Sequence, residues 1–316
     1  MSKPKKMLVQ VEEYLAFRRE IGYKLASHGV LLRDFCRYAD KIGHTGPITN
    51  ELVLRWVRKP EKASLNYLTQ RLSAVRCLAR HLALQDPRTE IPTDEGLKAH
   101  RIQPYIYTQQ QIADLLSAAA ALWPFGGLRP QTYRVLFGLL ASTGMRVSEA
   151  IRLQRKDVDL QQGILRINDT KFSKSRLVPV HSSTLDVLRK YAAFRDRYHL
   201  LPKSTAFFLA ERGDSLPYVT VQGTFHLIRN RLGWHPSLSG RRPRIHDLRH
   251  TFACNRLLEW YREKVDVEHA ILSLSTYLGH TMVAHTYWYL TGIPELMAIC
   301  AARFQKFAQL EQGEQP

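Results

Sequence analysis

Two short stretches of this chain read as strands, the first alternating apolar and polar residues and the second its partner across a hairpin. One is Gly163-Ile164-Leu165-Arg166-Ile167-Asn168. The other is Arg176-Leu177-Val178-Pro179-Val180, reached through a polar segment, 169–175, that would form a hairpin tip. Proline has no N–H to donate to a ladder, so Pro179 marks a strand edge. The remaining apolar series recur at three- and four-residue spacing, the period of a helix that buries one face. So little strand confines the chain to a mainly α fold with one small β-hairpin or sheet, placed in its C-terminal half.

The helical series also divide the chain. Leu8, Val11, Leu15 and the residues near Phe17 form one series, and Leu31, Leu32, Phe35 and Tyr38 the next. Gly43-His44-Thr45-Gly46-Pro47 breaks the pattern, and Thr49 stands as an N-cap before Leu52, Leu54, Trp56 and Val57. Leu65, Leu68, Leu72, Val75, Leu78 and Leu82 follow, with Arg71, Arg76 and Arg80 on the face expected to be exposed. Those arginines read either as a solvated helix face or as phosphate contacts. Residues 86–104 hold Asp86-Pro87, Ile91-Pro92, Gly96 and Gln103-Pro104 with little periodicity, and read as a linker. A second helical region opens at Thr108, an N-cap candidate, with Ile112, Leu115 and Leu116 inward. It passes a loop at 123–127 and an apolar helix from Tyr133 to Ala141. Helices resume from Ser183, again around Thr220–Leu232, and on to the C-terminus. A chain of 316 residues suits two domains. The expected division is a helical domain over 1–85, the linker over 86–104 and a second domain over 105–316.

The formal net charge is +18. Such a surplus favours a polyanion, either nucleic acid or an anionic membrane. Residues 1–103 carry 19 Lys and Arg against 11 Asp and Glu, and residues 104–316 carry 27 against 17. The excess therefore lies in both halves rather than in a basic tail, which suits a protein that grips its partner from two sides. A generally basic protein is the plainer alternative. No run of about 18 apolar residues is present, so no membrane span is expected. The basic N-terminus, Met1-Ser2-Lys3-Pro4-Lys5-Lys6, lacks the apolar run of a signal peptide. Cys36, Cys77, Cys254 and Cys300 are far apart, and read as reduced thiols of a cytoplasmic protein rather than a zinc site.

A few scattered residues carry the chemistry. Arg146 lies in Ser142-Thr143-Gly144-Met145-Arg146-Val147-Ser148-Glu149. Lys171 lies on the hairpin, five places before Arg176-Leu177-Val178-Pro179. His246 and Arg249 lie in Arg244-Ile245-His246-Asp247-Leu248-Arg249-His250, three apart and so on one helix face, with His250 pointing elsewhere. His280 follows in Leu278-Gly279-His280, where Gly279 permits a sharp turn. Tyr289 comes nine residues later. Cleaving a phosphodiester with a tyrosine needs fixed cations, because negative charge concentrates on the non-bridging oxygens. Arginine binds two such oxygens through one planar fork and stays charged. The leaving oxygen needs a proton from a Lys or His. The tyrosine, with an ordinary pKa of about 10, must lose its proton, and surrounding positive charge makes that easier.

These motifs, in this order, resemble those of the tyrosine recombinase family (phage-integrase and Xer-like). The resemblance covers residues 105–300 by motif and the N-terminal half by architecture. It implies a two-domain DNA clamp, in which a helical core-binding domain is paired with a catalytic domain. It implies a nucleophile at Tyr289, favoured by spacing over Tyr287, which would sit about 200° around a helix from it. Arg146, Arg249 and His280 would hold the phosphate, His246 would assist, and Lys171 would protonate the leaving 5′-oxygen. Lys174, nearer the tip, would touch the DNA backbone or solvent. The chemistry would need no metal and no cofactor. The partners would be a double-stranded DNA recombination site, further copies of the chain (two per site and four per synapse) and, for some members, related recombinases. His285 and Leu290-Thr291 depart from the usual pattern and suggest a divergent branch. An apolar series after Leu290 would pack on its own domain or on a neighbouring protomer. Two rival readings share much of this: a type IB-like topoisomerase, and a DNA-binding accessory protein with a dead site.

Overall fold

The computed structural model describes residues 7–97, 104–168, 175–236, 242–280, 282–287 and 289. The segment with Lys171 and Lys174 and the tail beyond Tyr289 lie outside the described residues. The chain divides into two compact units, residues 1–101 and 102–316.

The first unit packs four helices, α1 (Met7–Glu20), α2 (Ala26–Lys41), α3 (Asn50–Arg58) and α4 (Leu65–Leu82). Each buries the stripe that its periodicity marks. Val11 and Leu15, Leu32 and Phe35, Val53 and Trp56, and Leu72, Val75 and Leu78 form one core. Leu8, Phe17 and Leu65, at the ends of their series, stay exposed. Thr49 caps α3 by accepting from the Leu52 N–H, and Ser64 caps α4 by accepting from Tyr67.

Two expectations for this unit are corrected. Arg71 is not on an exposed face. It is 4 % exposed, with its guanidinium 3.7 Å from the Trp56 ring and a 2.8 Å bond from Nη2 to the Trp56 carbonyl. Arg76 is half-buried and donates to the Pro92 carbonyl, which leaves Arg80 as the exposed member. Residues 86–97, read as linker, are bound to the helices instead. The Thr93 N–H donates to Asn50, the Asn50 N–H donates to Glu90, Arg58 pairs with Asp94, and Thr69 donates to the Leu97 carbonyl. Their lack of helical period reflects a strap rather than a free connector.

The second unit begins with α5 (Gln109–Ala120), closed by a full capping box at Thr108 and Gln111. Helix α6 (Leu128–Thr143) is apolar nearly all round because it runs through the core, against α5 and α8 (Ser182–Tyr198). A short helix, α7 (Val147–Ala150), follows, and then the sheet: β1 (Val158–Asp159), β2 (Ile164–Ile167) and β3 (Arg176–Pro179). All pairs are antiparallel in the order β1-β2-β3, with Leu165 opposite Val178 and Val158. Leu165, Ile167 and Val178 face the core, and β3 is an edge strand, as Pro179 requires. Strand β1 has two residues, too few to show alternation. The unit is completed by α9 (Tyr218–Arg231), α10 (Asp247–Arg262), α11 (Val267–Leu278) and α12 (Ala284–Tyr287). The fold is mainly helical with one small sheet, and among the described residues no helix is long and apolar enough to cross a membrane.

Candidate active site

Three chain junctions converge in the second unit: the turn from α6 into α7, the start of α10 and the end of α11. Two glycines make this possible. Gly144 ends α6 at φ 61° and Gly279 ends α11 at φ 67°, the left-handed conformation that side chains disfavour. Close packing excludes a side chain as well. A Cβ on Gly144 would lie 2.5 Å from the Phe252 ring, and one on Gly279 would lie 2.7 Å from Arg176 Nη1.

The carbonyls at these helix ends receive arginines. Arg249 donates from Nη1 to the Gly144 carbonyl at 2.9 Å and from Nη2 to the Leu278 carbonyl at 2.7 Å. Arg146 Nη2 reaches the Gly279 carbonyl at 2.9 Å, and Arg176 Nε reaches the Tyr277 carbonyl at 2.8 Å. Helix C-termini carry partial negative charge, which offsets part of the cost of crowding three guanidiniums. One buried carboxylate offsets more. Glu149 bonds Arg146 Nη1 at 2.7 Å, accepts the Arg146 backbone N–H at 2.9 Å and meets both Nη atoms of Arg176. Burial alone would raise its pKa, but Arg176 and then Arg146 hold it down at about 2. Three cations against one anion leave the cluster net positive, a ready seat for an anionic group.

The histidines follow from this charge. His280 leaves the end of α11 half-buried, with Nδ1 2.7 Å from the hydroxyl of the fully buried Thr286. Burial, then Arg249 and Arg146, push its pKa down to about 3. His246 precedes α10, and burial, then Arg249 and Arg244, push it toward about 4. Protein atoms crowd one side of His246 while the residue as a whole stays exposed, so only part of the ring is desolvated. Both rings are held neutral. Arg249, 3 % exposed, is itself lowered to about 10 by burial and then by Arg146.

Tyr289 is 3 % exposed and packs with Ala253, Cys254, Leu257 and Leu278. Its ring stacks on His280 with centroids 6.2 Å apart. Its hydroxyl lies 3.1 Å from Nδ1 of His250. The structure thus brings Arg146, His246, Arg249, His280 and Tyr289 to one place, while Tyr287 is 46 % exposed. The expectation that His250 points elsewhere is corrected. Four residues separate it from His246, so both rings share a face, 5.0 Å apart. Glu149 and Arg176 are further members that the motifs did not single out. The position of Glu149 three residues after Arg146, suited to a capping contact, was the available signal.

The fold is shared with recombinases solved on DNA. The integrase of transposon Tn1549, in complex with transposon right end DNA, superposes with a TM-score of 0.71 at 14% identity, over 96% of this chain and 99% of that one. The XerH site-specific recombinase, in a post-cleavage complex with palindromic difH substrate, superposes with a TM-score of 0.65 at 19% identity, over 94% and 84%. In sequence, the putative integrase/recombinase y4rB of Sinorhizobium fredii is 41% identical over 94% of this chain and 96% of its own length. A profile of the phage integrase family matches residues 106–293. This chain belongs to the phage integrase family.

Proposed function

We propose that this chain is a site-specific DNA recombinase of the integrase or resolvase type, serving a transposon or integrative element, and that it works through a 3′-phosphotyrosine. The observation that carries the reading is the buried Tyr289 hydroxyl beside an arginine–histidine cluster with net positive charge. In this reading the scissile phosphate takes the seat beside Arg146 and Arg249. Two bonds to the protein fix the plane of each fork before DNA arrives, so little reorganisation remains at the moment of reaction. His246 and His280, both neutral in the free protein, donate to the phosphate oxygens. Tyr289 attacks, Lys171 protonates the departing 5′-oxygen, and the phosphotyrosine conserves the bond for rejoining, so no nucleotide is consumed. Excess charge in both units, with Arg80 and Lys174 among the candidate contacts, grips duplex DNA as a clamp. Two copies act per site and four per synapse.

The test is covalent capture. A nicked suicide duplex is cut from the DNA segment that the protein protects next to its own coding sequence. Wild-type protein should form a denaturation-resistant adduct, Tyr289→Phe should form none, and Tyr287→Phe should behave as wild type. No adduct with wild type would sink the enzyme reading in favour of a DNA-binding accessory protein.

A further inference from the structure

On the recombinase reading above, we propose that His250 is the base that takes the phenolic proton of Tyr289 during attack. Its Nδ1 stands 3.1 Å from the Tyr289 oxygen, within reach for direct transfer. With the ring proton on Nε2, Nδ1 offers its lone pair and the phenol donates. The neighbouring histidines are placed for other work. His280 lies nearly parallel to the Tyr289 ring, at 22°, and its Nδ1 meets Thr286. His246 stands edge-on to His250 at 5.0 Å, one turn back on the same face.

Among the titratable groups near the His250 ring are His246 on its own helix, Tyr289, and His280 on the far side of Tyr289, and Cys254, one turn further along α10, packs with Tyr289. Arg249 feels the charge of Tyr289, so a phenolate forming there is stabilised as the proton leaves. The step balances. The Tyr289 O–H bond breaks and its proton passes to Nδ1. The oxygen's electron pair forms the new O–P bond. The P–O5′ bond breaks, and the 5′-oxygen takes a proton from Lys171. Rejoining returns each proton to its donor. His250 sits in the first turns of α10, whose Thr251 hydroxyl receives the Tyr107 backbone N–H, so the base rides on a fixed element.

The test compares His250→Leu, His250→Asn and wild type on the same suicide duplex, by single-turnover adduct formation from pH 5.5 to 8.5 and by DNA affinity. Asparagine can accept the phenol's hydrogen bond but cannot hold its proton. Both variants should form adduct roughly 100-fold more slowly with DNA affinity unchanged. Both should also lose the acid limb of the wild-type profile. A wild-type rate in His250→Leu, or full rescue in His250→Asn, would overturn the proposal. Two controls separate this failure from that of the underlying reading. Absence of wild-type adduct removes the recombinase reading itself, and an adduct surviving Tyr289→Phe removes the nucleophile.

Discussion

Glu149 and Arg176 meet as a two-point ion pair, with Nη1 3.1 Å from Oε1 and Nη2 2.9 Å from Oε2. The same carboxylate holds Arg146, so one buried anion joins the start of α7 to the edge strand β3. Arg176 also reaches the end of α11 through the Tyr277 carbonyl. The strand that leaves the hairpin is thereby tied to the two junctions where Arg146 and His280 sit. The pair sets the cluster's geometry rather than adding to its charge.

Glu149→Gln keeps the shape of this joint and removes its charge. The folded-state pKa of Glu149 lies at about 2 against an ordinary 4.5. A depressed carboxylate contributes stability that is present above its unfolded pKa and lost as pH falls through the folded one. The contribution is on the order of 3 kcal/mol. In urea unfolding, Glu149→Gln should be less stable than wild type by about that amount at pH 7. The difference should shrink as pH falls from 4.5 toward 2, because protonation removes the same charge from wild type. A constant difference across that window would show that the charge is not what holds the joint.

How much of this was readable in advance depended on range. Helix periods, the Thr49 and Thr108 caps and the pairing of β2 with β3 are local patterns, and among the described residues they appear where the spacing puts them. The strap over 86–97 is held by side chains up to 43 residues away, such as Asn50 to Thr93, which no local period records. Arg71 looked solvated because its helix wheel faces outward, but Trp56 of α3 covers it. His250 directly follows Arg249, so the three-residue spacing of His246 and Arg249 turns it away from them, and its contact with Tyr289 spans 39 residues that no local pattern records.

Arg71 and Arg80 should separate cleanly. Arg71→Ala removes the guanidinium from Trp56 and leaves that residue's carbonyl without its 2.8 Å donor. The loss should be about 2 kcal/mol, mostly packing and one buried hydrogen bond, since Asp34 is too exposed to add much. Arg80→Ala should change stability by less than about 0.5 kcal/mol. It should weaken DNA binding evenly across sequences and lower the salt slope by about 1. Thermal melts and binding titrations at several salt concentrations measure the two effects, and an unchanged slope would make Arg80 a plain solvated residue.

Gly279→Ala tests the close approach at the end of α11. Left-handed backbone at φ 67° costs an alanine roughly 1–2 kcal/mol. The new methyl would also sit 2.7 Å from Arg176 Nη1 and 2.9 Å from its Cζ. Arg176 must move, which breaks its grip on Glu149 and the Tyr277 carbonyl. Adduct formation should therefore fall further than the melting temperature suggests. A variant such as Gly43→Ala, with a similar φ of 69° and open space around its Cβ, should show the strain alone. Equal losses of activity in the two would place the whole effect in the backbone.

The two neutral histidines make binding proton-linked. His280 is held at about 3, by burial first and then Arg249 and Arg146, and His246 is pushed toward about 4 by burial, then Arg249 and Arg244. Each folded pKa lies below the ordinary 6.5, so protons favour the unfolded chain. Stability should fall as pH drops below 6.5, by at most about 1.4 kcal/mol per pH unit for each ring, and by less for His246 with its exposed edge. A phosphate seated beside Arg146 and Arg249 weakens the local positive field, because an anion now faces the rings and partly cancels the arginines. Binding should then raise both pKa values and draw protons from solution. DNA affinity should increase as pH falls below 6.5 at constant salt. Calorimetric titration in two buffers of different ionisation enthalpy should register net proton uptake, reduced in His280→Asn. Binding without proton exchange in wild type would mean that the phosphate does not reach these rings.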